Sequence, residues 1–147
     1  MHVHVVAVGK IKERGIREAV DDYAKRIGRY AQYHEVELKD LPSDELIEKF
    51  TKAIPARARV FALEVEGRAV TSPGLAQLVG RAEDDSAIQH LVFLIGGSYG
   101  LPQQVSRGAD VQLSLSNLTL PHRLARLVLV EQVYRAFTIL RGEPYSH

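Results

Sequence analysis

The chain has 147 residues, 19 Lys and Arg against 18 Asp and Glu, a formal charge of +1, and 46% hydrophobic residues. That length suits one domain with a sizeable core, and the balanced charge announces no global affinity for nucleic acid, so any RNA-binding surface must be a local patch. Cysteine is absent, which excludes a disulfide framework and any thiolate zinc site.

The elements alternate between strand and helix. Met1 leads straight into His2 to Gly9 (HVHVVAVG), a short β-branched strand closed by glycine. No basic leader or long apolar run precedes it, so the expectation is a cytoplasmic protein that does not engage a membrane. Arg14 to Tyr30 places Ile16, Ala19, Val20, Tyr23, Ile27 and Tyr30 at helical spacing, which predicts an amphipathic helix. His34 to Leu38 alternates as a half-buried strand does. Ser43 is the expected N-cap of a helix carrying Leu46, Ile47, Phe50 and Ile54 and stopped by Pro55.

Arg59 to Val65 predicts a third strand, turned by Glu66-Gly67. Ser72-Pro73 opens a helix whose buried stripe is Leu75, Leu78, Val79 and Ala82. His90 to Ile95 (HLVFLI) is a continuous apolar run, expected of a central parallel strand covered on both faces. Leu101-Pro102 opens a short helix, Asp110 to Leu115 is a fifth strand, and Pro121 to Arg141 is the closing helix. Five strands alternating with helices predict an α/β domain with a mainly parallel sheet. The closing helix is apolar nearly all round, so more than one surface must cover it: either a second subunit, or the sheet and neighbouring helices of the same chain.

Two loops carry the functional signal. Gly96-Gly97-Ser98-Tyr99-Gly100 follows the fourth strand. It is neither a dinucleotide fingerprint nor a phosphate loop, because no acid stands about 20 residues on and no Gly-Lys-Ser/Thr follows. Ser116 to Pro121 follows the fifth strand and mixes hydroxyl, amide and aliphatic groups. Such a loop offers an adenine ring an apolar slot and backbone hydrogen bonds; it is equally a helix start capped by Thr119. Gly67 and both loops follow strands, and ligands of open α/β sheets bind beyond the strands' carboxyl ends. His122, Arg123 and Arg126 sit at a helix N-terminus, where cations oppose the helix dipole. That cost points to holding a phosphate or an anionic base, with Arg123 the one best read as a solvated basic turn. His2 and His4 share a strand face, but no third ligand accompanies them, so they read as surface or core histidines, as do His34 and His90, and no metal is expected. The absence of a Ser-His-Asp set or an HExxH motif argues against hydrolysis.

The segment from Leu94 to Tyr145 resembles the signature region of the RlmH family within the SPOUT methyltransferases. The matching residues are Ile95-Gly96-Gly97, Gly100-Leu101, Leu115-Ser116, Thr119-Leu120-Pro121-His122, Arg126 and Glu131 to Ala136. Val6 to Glu13, Tyr23 to Arg26 and Leu63 to Gly67 match as well. The resemblance implies a SPOUT fold, with a mainly parallel sheet of five to six strands flanked by helices and a trefoil knot in its carboxyl-terminal part. It implies a homodimer, formed through the last helix, that binds S-adenosylmethionine through Leu63, Gly96, Leu115, Ser116, Asn117, Leu118, Thr119 and Leu120. It further implies methylation of N3 of a pseudouridine in the helix 69 loop of 23S rRNA, on the assembled ribosome, with no DNA partner. S-adenosylmethionine carries an activated methyl group, so the chemistry needs no metal; the protein must orient the reactants and help N3 lose its proton. The candidates for that work are His122, Arg126, Arg135, Tyr145 and His147. Two features depart from the family pattern: the segment from Lys49 to Ala58 is short, and the chain closes Tyr145-Ser146-His147. Two other functions compete: methylation of a different rRNA or tRNA nucleotide on the same fold, and non-catalytic RNA binding or ribosome assembly.

Overall fold

A computed structural model describes residues 1–145. Five strands, β1 (His2–Val8), β2 (Gln32–Leu38), β3 (Ala58–Ala69), β4 (His90–Ile95) and β5 (Val111–Ser114), form one sheet in the order β2-β1-β4-β3-β5, every neighbouring pair parallel. The helices are α1 (Arg14–Ile27), α2 (Ser43–Ala53), α3 (Ser72–Asp84), α4 (Gln103–Gly108) and α5 (His122–Arg141). Among the described residues no helix is long and apolar enough to cross a membrane.

The central strands β1 and β4 have aliphatic residues on both faces, and each face builds its own core. Val3, Val5, Phe61, Leu91 and Phe93 point toward α1, α3 and α5 and join Val20, Val79, Leu129, Val133 and Phe137 in the larger cluster. Val6, Val8, Val60, Val92 and Leu94 point the other way and meet Leu46, Phe50 and Val105 of α2 and α4. α5 packs against both α1 and α3. Within one chain it is therefore already wedged between neighbouring helices, and no residue from His122 to Leu140 is fully exposed.

Four local expectations change. Glu66-Gly67 does not end β3. The strand runs on to Ala69, and Leu113 of β5 stands opposite both Leu63 and Arg68, so residues 64–67 bow out of the ladder. Gly67 can lie there because a Cβ would come within 2.8 Å of the Gln112 backbone. Ser43 does not cap α2: Pro42 holds that position, without a side-chain bond. α3 is capped one residue earlier than expected, by Thr71, whose hydroxyl accepts from the Gly74 amide at 3.1 Å. The extra helical turn expected through Tyr30 is absent, because α1 closes at Ile27 with turn bonds from Arg29 and Tyr30 back to Arg26 and Ile27.

Candidate functional site

Parallel strands put all their carboxyl ends at one edge, and there the loops after β4 and β5 and the bowed part of β3 enclose a pocket of about 650 Å³. Pockets of that size accommodate cofactors and other small ligands. Its walls are mainly aliphatic: Leu63 and Val65 from β3, Ile95 from β4, Leu113 from β5, and Leu115, Leu118 and Leu120 from the last loop. The polar lining comprises Glu64, Ser98, Ser116, Thr119, His122 and Arg123.

The Gly-rich loop is a tight reversal. The Gly100 amide donates to the Gly97 carbonyl at 3.0 Å, and Gly100 adopts φ +79°. At Gly96 a Cβ would stand 2.3 Å from the Gly100 carbonyl carbon and 2.4 Å from the Leu101 nitrogen. Only glycine lets the loop fold back so closely onto the end of β4. The second loop is held by Ser114 Oγ donating to the Ser116 carbonyl at 3.0 Å, and by Ser116 Oγ accepting from the Leu118 amide at 2.9 Å. Leu118 remains 74% exposed at the rim. Thr119 does not cap α5; Pro121 occupies the cap position without a side-chain bond.

The helix α5 starts at the pocket wall. Its first residue, His122, has Nδ1 buried without a hydrogen-bond partner among the described residues, and its ring lies over Gly9, whose φ is +92°. Arg123 lines the pocket and pairs with Glu13 at 3.1 Å, so it is more than a solvated turn. Arg126, one turn on, is completely buried. It donates to the Gly9 carbonyl at 2.9 Å and to Glu37, and Arg17 and Tyr33 complete the network by binding Glu35. Arg126 does not line the pocket, and its burial removes it from direct contact with a substrate.

Of the residues expected to hold the cofactor, Leu63, Gly96, Leu115, Ser116, Leu118, Thr119 and Leu120 come together in this pocket, and Asn117 does not line it. Of the described residues expected to act on the substrate, His122 alone lines it. Arg135 and Tyr145 form a separate cluster. The Arg135 guanidinium lies 4.8 Å from the Tyr145 ring centroid and pairs with Glu131 at 3.0 Å, and Tyr145 Oη is 3.3 Å from both Tyr23 Oη and Glu131 Oε2. Burial, then the bond to Tyr23, pushes the Tyr145 phenol above its ordinary range, so it holds its proton and is unsuited to act as a base. Arg135 stands 13 residues along α5 from His122, about 20 Å at the helical rise. His147 lies outside the described residues. Glu64 and Val65 were not expected as pocket residues, because the bow in β3 that brings them to the pocket leaves no signal in composition.

A family model described as predicted SPOUT methyltransferase matches residues 1–147. The chain belongs to the SPOUT methyltransferase family. It is 47% identical to the ribosomal RNA large subunit methyltransferase H of Sorangium cellulosum, with both proteins covered over their full length. It is 38% identical to the protein of the same name from Geobacter metallireducens, covering 100% of this chain and 99% of that one. A probable methylase family protein from Haemophilus influenzae shares its fold, with a TM-score of 0.59 at 11% identity over 99% of this chain and 70% of the other. The parallel sheet flanked by helices expected of the family is the architecture observed, with five strands among the described residues.

Proposed function

We propose that this SPOUT methyltransferase transfers a methyl group from S-adenosylmethionine to N3 of a pseudouridine in the helix 69 loop of 23S rRNA, on the assembled ribosome. The observation that carries the reading is the pocket at the carboxyl ends of β3, β4 and β5, in a chain that aligns end to end with large-subunit rRNA methyltransferases.

The residues fit that donor. The leucines at positions 63, 113, 115, 118 and 120 supply an apolar slot for an adenine ring, and Gly96, by letting its loop fold back onto β4, shapes the wall beside it. Glu64 is the one carboxylate on the lining and suits a cationic ligand. When bound, S-adenosylmethionine supplies a methyl carbon on a sulfonium, which leaves as a neutral thioether. The chain's own work is to orient the base and to favour the N3 anion. His122, at the pocket wall, is the group placed to take the proton or to face the anion. Arg126 acts through position, by fixing the helix that carries His122.

Arg135 and Tyr145 serve the reaction only if they reach the pocket of a second copy, since within one chain they sit far along α5. The proposal therefore includes a homodimer, in the cytoplasm, in which the carboxyl-terminal part of one subunit completes the substrate side of the other. The test is transfer of labelled methyl groups by purified protein to ribosomes from a strain lacking the enzyme. Incorporation into assembled ribosomes but not into naked 23S rRNA supports the reading; incorporation into tRNA, or into no RNA, refutes it.

A further inference from the structure

The opposite end of the sheet carries a second cluster with no part in that pocket. His2 and His4 lie on β1, His34 on β2 and His90 at the start of β4. His4 is in register with His34, and His2 with His90. In-register residues of parallel strands share a face, so all four rings stand on the side that further along carries Val6, Val8, Val92 and Leu94 beneath α2 and α4. Where that aliphatic cluster ends, the face continues as imidazoles. His34 is exposed and the other three are partly buried.

The rings converge closely. His2 Nδ1 and His34 Nε2 are 3.0 Å apart, and His4 Nε2 and His90 Nδ1 are 2.9 Å apart. One ring nitrogen from each of His2, His4 and His34 lies within 4.8 Å of the others. Two nitrogens on one tetrahedral zinc, each about 2.0–2.1 Å from the ion, are about 3.3–3.4 Å apart. The His2–His34 pair thus needs to open by only a few tenths of an ångström.

We propose that His2, His4 and His34 form a structural site for a late first-row divalent metal ion, zinc above all, with His90 holding the His4 ring in place. Imidazole donors select zinc, copper, nickel or cobalt over magnesium and calcium. The exposed side of His34 leaves room for water to complete the coordination. The ion would clasp β2, an edge strand, to β1. The clasp is about 20 Å from the pocket, given the rise per residue of β1, so it stabilises the sheet without entering the methyl transfer. It is independent of the function proposed above.

The test is titration of chelator-treated full-length protein with zinc sulfate by calorimetry, with cobalt chloride as a spectroscopic probe. The expected result is one zinc per chain, a rise in melting temperature with added zinc, and visible absorption bands of low-coordinate cobalt. His34→Ala should leave the melting temperature of the metal-free protein nearly unchanged, because the residue is exposed, and should weaken zinc binding by at least about tenfold. His90→Gln should weaken it less. Failure of the wild-type protein to take up zinc, or undiminished affinity in the His2→Ala/His34→Ala double variant, would overturn the proposal. Should a variant fail to fold, the cobalt spectrum of the wild-type protein decides: an octahedral spectrum contradicts it.

Discussion

Arg126 on α5 and Glu37 at the end of β2 are ion-paired across 89 positions of sequence, the arginine fully buried and the glutamate side chain 25% exposed. The same guanidinium binds the Gly9 carbonyl, where β1 turns toward α1. One side chain therefore ties the start of α5 to the carboxyl ends of both β1 and β2. That tie places His122 against the pocket.

Removing Arg126 should cost more than removing its partner. Arg126→Ala empties the space of a large, fully buried side chain and removes its bonds to Gly9 and Glu37, and should lower stability by about 3 kcal/mol. Glu37→Gln leaves Arg126 its bond to Gly9 and its 3.7 Å approach to Glu35, so the loss should be about 1–2 kcal/mol. Urea unfolding of the two variants measures the difference; equal losses would show that the network is not organised around Arg126.

Gly96→Val should weaken S-adenosylmethionine binding by at least about tenfold, a loss of about 1.4 kcal/mol. The new Cβ meets backbone atoms of Gly100 and Leu101, so the loop must open and the pocket wall with it. Calorimetric titration reads the affinity, and circular dichroism checks that the fold persists. Unchanged affinity would remove Gly96 from the site.

Two glycines should respond in opposite directions. Gly67→Ala drives a methyl group into the backbone of β5 at 2.8 Å and should cost about 1–3 kcal/mol. Gly15→Ala, in the first turn of α1 with nothing within 4 Å of the new Cβ, should stabilise by about 0.5–1 kcal/mol. Their melting temperatures should move to opposite sides of the wild type.

Much of this was legible in the residues. Apolar runs of strand length between amphipathic helices are how a parallel sheet covered on both faces must read, and glycine and hydroxyl residues after strands mark where backbone is left open to a ligand. Relationships that depend on register were not legible. His34 joins His2 and His4 only because β2 pairs with β1 in one particular alignment, and the 89-residue separation between Arg126 and Glu37 hides their pairing. The bow at residues 64–67 escaped for the same reason: Glu66-Gly67 reads as a turn until Leu113 is seen opposite both Leu63 and Arg68.

Tyr99, 98% exposed at the tip of the Gly-rich loop, is an aromatic ring with no partner in its own chain among the described residues. Stacking on an unpaired base is worth about 1–3 kcal/mol, so Tyr99→Ala should lower kcat/KM for ribosomes by about tenfold while leaving S-adenosylmethionine affinity unchanged. A loss of donor affinity instead would place the ring in the donor site.

The proposed reaction of this pocket is methylation of one nucleotide of the large-subunit rRNA. Mass-spectrometric mapping of 23S rRNA from a strain deleted for this chain tests it most directly. The N3-methyl mark on the helix 69 pseudouridine should disappear in that strain and return with the wild-type chain but not with Gly96→Val. Persistence of that mark in the deletion strain, or loss of a methyl group at another nucleotide alone, would contradict it.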